Sequence, residues 1–114
     1  MQTLLHTAAF ERAAAKLMSD EELAGALDVI ARNPESGDVV KGTGGVRKIR
    51  VALPGRGKSG GARVIYYYFD DNNPVYLFMI YAKNVRTDLT DAQCNELRRA
   101  VAAIKGEFRS RRTR

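Results

Sequence analysis

The sequence has few of the residues that small proteins use for metal centres and cross-links. Its 114 residues include one cysteine, Cys94, and one histidine, His6. A single cysteine excludes an internal disulfide, and without a Cys/His cluster no zinc site is expected. We therefore predict no metal and no cofactor, and the cysteine usage is typical of a reducing compartment.

Long apolar runs are absent as well. No run approaches the roughly 20 apolar residues that a membrane-spanning helix needs. The first residues also lack the basic flank and continuous apolar core of a signal peptide. We therefore expect a cytoplasmic protein with no membrane partner. The length of 114 residues predicts one domain, because such a chain can build a single core but not two.

Positive charge is concentrated in the middle of the chain. The formal net charge is +6 and the pI is near 9.8, and no carboxylate lies between Asp38 and Asp70. That interval holds Lys41, Arg47, Lys48, Arg50, Arg56, Lys58 and Arg63. A basic balance of this kind indicates a polyanionic partner, with nucleic acid ahead of a membrane surface.

Two capping boxes predict where helices begin. The sequences SDEE, at residues 19–22, and TDAQ, at residues 90–93, have the spacing at which an N-cap and the third helical residue bond each other. Strong helix formers predict an earlier helix over residues 8–18, and Pro34 ends the second helix. Cys94 lies on the apolar stripe of the last helix, so we expect it in the core and not as a nucleophile.

Period-two alternation predicts three consecutive strands that form an antiparallel meander. They cover residues 46–53, 63–69 and 75–83, and residues 2–7 form a possible first strand. Alternation places Lys48 and Arg50 on one face of their strand and Ile49 and Val51 on the other. The tyrosine-rich second strand is apolar on both faces and is therefore expected to be central.

Alternation also makes predictions for the aromatic residues of the meander. In the last strand it places Leu77, Met79, Tyr81 and Lys83 on one face. The tyrosines of the middle strand allow two interpretations, a base-stacking platform or a core. Because aromatic residues of a central strand are usually buried, we favour the core.

The glycine-rich segment PGRGKSGG, at residues 54–61, matches two nucleotide-binding patterns, a relaxed phosphate loop and GxGxxG. Both patterns require a helix to begin at the loop, because its N-terminal amides bind the phosphate. Here the loop leads into ARVIYYYF, which favours a strand. We therefore interpret the segment as a hairpin connection, with Arg56 and Lys58 as candidate contacts to RNA.

The predicted element order is β-α-α-β-β-β-α. It describes an α+β fold in which an N-terminal strand and a helical hairpin pack on a small, mainly antiparallel sheet, followed by a C-terminal helix. This order, with the segments GTGGVRKIRVALPGRGKSGGARVIYYYF and VYLFMIYAKNVRTDLT, resembles the RelE/HigB family of toxins from type II toxin–antitoxin modules, and is most similar to the HigB-like branch. The resemblance covers residues 1–108, predicted as a single domain, and leaves residues 109–114 as a basic tail.

The resemblance implies a function. RelE-like toxins are ribosome-dependent endoribonucleases that cleave messenger RNA in the decoding site, inhibit translation and are neutralised by a cognate antitoxin. The reaction is a metal-independent attack of a ribose 2′-hydroxyl on the scissile phosphate. Since HigB-like relatives pair with helix-turn-helix antitoxins, an antitoxin of that type is the implied partner, together with the ribosome and messenger RNA.

The resemblance also implies site residues, carried over only where the motifs match. Lys48 and Arg50 stand in the RKIR segment, Arg63 begins the next strand, and Lys83 stands in YAKN. The predicted roles are general base for Lys48, phosphate stabilisation for Arg63 and proton donation for Lys83. Asn84 replaces an arginine of the family pattern, which leaves the general acid open, and it is kept as an RNA contact.

Two other functions are compatible with the sequence. ParE-like toxins share the general architecture but bind and poison DNA gyrase without cleaving RNA. The clustered cations at Lys48, Arg50 and Arg63 favour the nuclease, since gyrase binding has no evident need for them. A basic RNA-binding module without catalysis is the third possibility.

Overall fold

The structure is a computed structural model that describes residues 1–53, 61–84 and 88–112. This part of the chain contains five strands and three helices. The strands are β1 (Leu4–His6), β2 (Asp38–Val39), β3 (Arg47–Val51), β4 (Ala62–Tyr67) and β5 (Val75–Ala82). The helices are α1 (Ala8–Ala15), α2 (Asp20–Arg32) and α3 (Asp91–Arg112).

All five strands belong to one sheet with the order β1-β5-β4-β3-β2. Strand β1 pairs with β5 in parallel, and the other pairs are antiparallel. The α+β fold, the meander and the central position of β4 are therefore confirmed. Strand β2 was not predicted, because its two residues are too few to show an alternation.

The helices begin where the capping boxes predict. The Ser19 amide donates to Glu22 Oε1 at 2.8 Å, and the Glu22 amide donates to Ser19 Oγ at 3.2 Å. At the start of α3 the amides and side chains of Thr90 and Gln93 exchange the same two bonds, at 2.9 and 3.1 Å. Each box satisfies two amides that have no partner inside the helix.

Two predicted helix ends differ from the observed helices. Helix α1 stops at Ala15 instead of residue 18, because the chain tightens into a turn in which the Leu17 amide donates to Ala14 O at 2.9 Å. This turn brings the Met18 side chain into the core, where it is 8% exposed. Helix α3 continues to Arg112, so the first part of the segment predicted as a tail, residues 109–112, is helical.

Both faces of the sheet carry a core cluster, one against the α1–α2 hairpin and the other against α3. The hairpin side includes Phe10, Leu27, Ile30, Val51, Val64, Tyr66 and Leu77. The α3 side includes Val46, Ile65, Tyr67, Tyr81, Leu97 and Val101. Tyr66 and Tyr67 are 0% and 3% exposed. The core interpretation of these tyrosines is therefore confirmed for both faces of β4.

A bulge in β5 places Leu77 on the opposite face from the one that simple alternation predicts. Ile65 is opposite Met79, but the next residue of β4, Tyr66, is opposite Leu77. Phe78 is therefore the extra residue, and the alternation shifts by one across it. Leu77 packs on the hairpin side, whereas Met79 and Tyr81 pack on the α3 side. The prediction that Leu77 shares a face with Tyr81 was wrong.

A buried hydroxyl joins the exit of α2 to the sheet. Tyr66 Oη donates to Pro34 O at 2.8 Å and accepts from the Gly37 amide at 2.8 Å. Burial raises the pKa of Tyr66, against the opposing effect of the Gly37 hydrogen bond, so the phenol keeps its proton. Arg47 Nη1 then donates to Gly37 O at 2.8 Å. These bonds hold residues 34–37 against β3 and β4.

Replacing Tyr66 by phenylalanine is expected to destabilise the fold. The change leaves the Gly37 amide and the Pro34 carbonyl without their shared partner, which costs about 1–3 kcal/mol. Urea unfolding measures this loss. Tyr68→Phe is the matched control, because its hydroxyl bonds the exposed Asp71 carboxylate, which water can solvate after the change, so it should cost less than Tyr66→Phe. Equal losses in the two variants would contradict the role of the buried hydroxyl.

The turn between β2 and β3 is built from glycines and contacts α3. Gly42, Gly44 and Gly45 have φ values of 84°, 78° and 117°, a region that favours glycine. Lys105 Nζ donates to Gly44 O at 3.1 Å. Through this hydrogen bond the turn holds the start of β3 against α3. No helix in the described part of the chain is long and apolar enough to cross a membrane.

Candidate active site

Strands β3 and β4 bring three of the predicted cations onto one face of the sheet. Arg50 lies directly opposite Arg63 in the β3–β4 register. Opposite residues share a face, with Cβ atoms about 4.5–5.5 Å apart. Lys48 precedes Arg50 by two residues and lies on the same face. Ile49 and Val51 pack on the hairpin side, so the predicted separation of β3 into a cationic and an apolar face is confirmed.

Two arginines that face each other across a ladder are unfavourable for folding. Like charges directly opposite one another destabilise a sheet, because each guanidinium raises the energy of the other. Where a sequence breaks a local rule in this way, function is a common reason. An anionic group placed between two such cations would offset their repulsion.

One donor of Arg63 has no acceptor among the described residues. The residue is half-buried, and its Nε atom is buried with no hydrogen-bond partner among the residues that the structure describes. Leaving a buried charged donor without an acceptor costs free energy. The guanidinium group as a whole is suited to a phosphate, because it offers a planar pair of N–H donors.

Lys83 and Asn84 follow the end of β5 beside these cations. The Lys83 amide donates to Gly61 O at 2.9 Å, which holds the chain against the residue that precedes β4. Lys83 is half-buried and Asn84 is exposed. Tyr81 is directly opposite Arg63, so the face that carries Arg50 and Arg63 continues onto β5.

Helix α3 covers only part of the face that holds the cations. Its buried side chains Leu97 and Val101 pack near Val46 and Tyr67, at one end of the β3–β4 ladder. Arg50 and Arg63 lie toward the opposite end. Arg50 is exposed as a result, while Lys48, nearer the middle of the ladder, is half-buried.

A cavity of about 250 Å³ lies beside Lys48. Its lining includes Lys41, Lys48, Ile65, Tyr81, Asp88 and Cys94. Cys94 is half-buried and its thiol is free. Asp88 brings one carboxylate near two lysines. Within the residues that the structure covers, no three His, Cys, Asp or Glu side chains cluster as metal ligands.

A larger cavity, of about 690 Å³, lies elsewhere, between β1 and the α1–α2 hairpin. It is lined by residues such as Leu4, His6, Met18 and Leu27, and none of the predicted cations reaches it. Volume alone would favour it as a binding site, but the charge lies at the smaller cavity. His6 packs edge-to-face on Phe10 at 5.3 Å between ring centroids, away from the cationic face.

The described residues exclude two predicted RNA contacts and add two residues to the site. Arg56 and Lys58, the candidate RNA contacts, fall in residues 54–60, outside the described parts of the chain. Gly61 and Tyr81 contact the site but were not predicted as site residues. The signal for Tyr81 was its alternation with Lys83, whereas Gly61 was assigned to the glycine-rich connection.

The fold and the site together define a small basic α+β protein with convergent cations on an incompletely covered sheet face. The family model described as the RelE toxin of the RelE/RelB toxin–antitoxin system matches residues 2–110. The chain therefore belongs to the RelE toxin family, a family of toxins from toxin–antitoxin systems. The predicted RelE-type membership is confirmed, and placement in the HigB-like branch stays a prediction.

Proposed function

We propose that this RelE-family toxin cleaves messenger RNA in the decoding site of the ribosome and thereby inhibits translation. The observation that carries the proposal is the Arg50–Arg63 pair, in which a buried guanidinium donor of Arg63 has no partner in the described residues. A scissile phosphate bound there meets fixed positive charge on one side. The ribosome as the site of action makes the cytoplasm the proposed compartment.

The proposed chemistry is an internal transfer at phosphorus. The ribose 2′-oxygen attacks the adjacent phosphate, a new O–P bond forms, and the bond from phosphorus to the 5′-oxygen of the next nucleotide breaks. Negative charge increases on the non-bridging oxygens during the attack. Guanidinium groups aimed at those oxygens therefore stabilise the transition state more than the bound substrate.

Two proton transfers accompany this step, and lysines are proposed for both. Lys48 takes the proton from the 2′-hydroxyl, and Lys83 gives a proton to the departing 5′-oxygen. The single histidine of the chain is not a candidate for either transfer, because His6 packs on Phe10. Asn84 is uncharged, so it is proposed to bind RNA and not to donate the proton.

Replacing Lys48 by methionine tests the assignment of the general base. Methionine keeps much of the apolar length of the side chain but cannot accept a proton. The single-turnover cleavage rate on ribosome-bound message should fall by about 10²–10⁴-fold. Lys16→Met is the control, since Lys16 is exposed at the end of α1, and it should cleave at the wild-type rate. A Lys48→Met protein with the wild-type rate would remove the base assignment.

A translation reaction analysed by primer extension tests the function as a whole. The proposal expects new 5′-ends within codons of the message that occupies the ribosome. Intact message together with inhibited DNA supercoiling would replace it by ParE-like gyrase binding. If the protein binds RNA but neither cleaves it nor inhibits supercoiling, it is an RNA-binding module without catalysis.

The partner of this toxin is proposed to be an antitoxin encoded with it. RelE-family toxins belong to RelE/RelB-type systems, and we propose an antitoxin of the helix-turn-helix type. An acidic segment of such a partner has a suitable target in the cations of β3 and β4. Loss of cleavage on adding the cognate antitoxin is the expected result, and unchanged cleavage with a saturating amount of it would contradict this pairing.

A further inference from the structure

The residue before β4 is a glycine that contacts two of the proposed catalytic residues. Gly61 is buried and immediately precedes β4. A Cβ atom at this position would lie 3.0 Å from Arg50 Nε and 3.4 Å from Arg50 Cγ. The Arg50 side chain therefore lies directly against the α-carbon of Gly61. On its other side, Gly61 O accepts the amide of Lys83 at 2.9 Å.

The need for glycine at this position is one of space. Gly42, Gly44 and Gly45 are the described glycines with positive φ, and Gly61 is not among them. Its backbone is thus available to any residue. A methyl group would instead meet Arg50 Nε at 3.0 Å and Val51 O at 3.2 Å. The guanidinium is the end of a flexible side chain, so it would move, whereas the carbonyl needs only a small adjustment.

We propose that Gly61 is a positioning residue for Arg50. Without a side chain at position 61, Arg50 lies across the start of β4 and stays on the face that carries Arg63. A methyl group there would push Arg50 Nε by a few tenths of an ångström from the position that it holds against Gly61. This inference rests on the proposed function, because it assigns the positioned group to transition-state stabilisation.

The kinetic test is Gly61→Ala in single-turnover cleavage of ribosome-bound message. Because displacement of a catalytic group by about 1 Å can cost as much as 10²-fold in rate, the smaller shift expected here should lower the rate by about threefold to tenfold. The concentration for half-maximal rate should change less than about twofold, because uniform binding is retained. The carbonyl that holds Lys83 is kept in this variant, so the methyl group acts on Arg50 and on the nearby Val51 carbonyl.

Two other glycines provide matched controls. Nothing lies within 4 Å of a Cβ atom built at Gly25 or Gly106, so Gly25→Ala and Gly106→Ala should cleave at the wild-type rate. The melting temperature of Gly61→Ala should remain within about 4 °C of the wild-type value. A loss of activity that is matched by unfolding would assign Gly61 to the fold and overturn the proposal.

A double-mutant cycle separates positioning from other effects. In an Arg50→Ala background the methyl group has no guanidinium to displace, so adding Gly61→Ala should change the rate less than about twofold. An equal loss in both backgrounds would overturn the role through Arg50. So would a Gly61→Ala protein that cleaves at the wild-type rate.

A readout that needs no cleavage distinguishes this inference from the function on which it rests. The side-chain proton–nitrogen resonance of Arg50 should shift in Gly61→Ala and stay unchanged in Gly25→Ala. If the Arg50 resonance shifts in Gly61→Ala but the wild-type protein cleaves no message, the proposed function is contradicted and the contact is kept. An unshifted resonance in a protein whose wild type cleaves would overturn the positioning role alone.

Discussion

Replacing Arg63 by alanine is expected to lower the single-turnover cleavage rate by on the order of 10²-fold or more. Arg63 lies opposite Arg50, and its buried Nε has no partner among the described residues. A phosphate bound by the Arg63 guanidinium gains a charged donor as negative charge develops. Loss of such a donor raises the barrier directly, because water does not supply an oriented positive charge in its place.

The same replacement should have little effect on folding, which separates catalysis from stability. Removing Arg63 also removes its repulsion with Arg50, so the free energy of unfolding should stay within about 1 kcal/mol of wild type. Arg63→Lys should recover only part of the rate, since an ammonium lacks the planar fork. Arg99→Ala is the control, because Arg99 is exposed on α3. An Arg63→Ala protein with more than a tenth of the wild-type rate would contradict the assignment.

Replacing Gly37 by alanine is expected to be the most destabilising of the glycine changes discussed. A Cβ atom there would lie 2.6 Å from Tyr66 Oη and 2.8 Å from Lys48 O. Real Cβ atoms do not approach oxygen so closely, so the strand or the ring must move. Forced movement in a packed interior and weakening of the Tyr66 hydrogen bonds together cost about 2–4 kcal/mol.

Urea unfolding measures this effect, and a helical glycine supplies the comparison. Gly25 lies within α2 with open space around it, so Gly25→Ala should stabilise the protein by about 0.5–1 kcal/mol. The two changes add the same methyl group, but they are expected to change the free energy of unfolding in opposite directions. If Gly37→Ala unfolds at the wild-type urea concentration, the packing around Tyr66 is looser than the contacts indicate. Because the clash includes the backbone of Lys48, Gly37→Ala should also reduce cleavage.

Local sequence signals were sufficient for the helix starts and for the faces of β3. The capping boxes at residues 19–22 and 90–93 act through hydrogen bonds within four residues, so their geometry does not depend on the rest of the chain. The separation of Lys48 and Arg50 from Ile49 and Val51 follows from the alternation of a single strand. These predictions succeeded because each rests on interactions inside one element.

Predictions that depend on two strands were less complete. The bulge at Phe78 moved Leu77 to the opposite face from Tyr81, because an extra residue in one strand shows only when the partner strand is paired with it. Strand β2 can be recognised only through its pairing with β3. Gly61 looked like part of a flexible connection, and its contact with Arg50 appeared only when β3 and β4 lay side by side.

The sequence by itself determined the α+β element order, the capped helices and the cationic character of the central segment, since these follow from local bonding and charge. It also carried the resemblance to the RelE family, which the family match confirmed. Tertiary structure alone decided that Arg50 faces Arg63 and that the Lys83 amide bonds Gly61. The physical reason is strand register, because pairing between distant segments is set by the packing of both sheet faces and is not encoded in either strand alone.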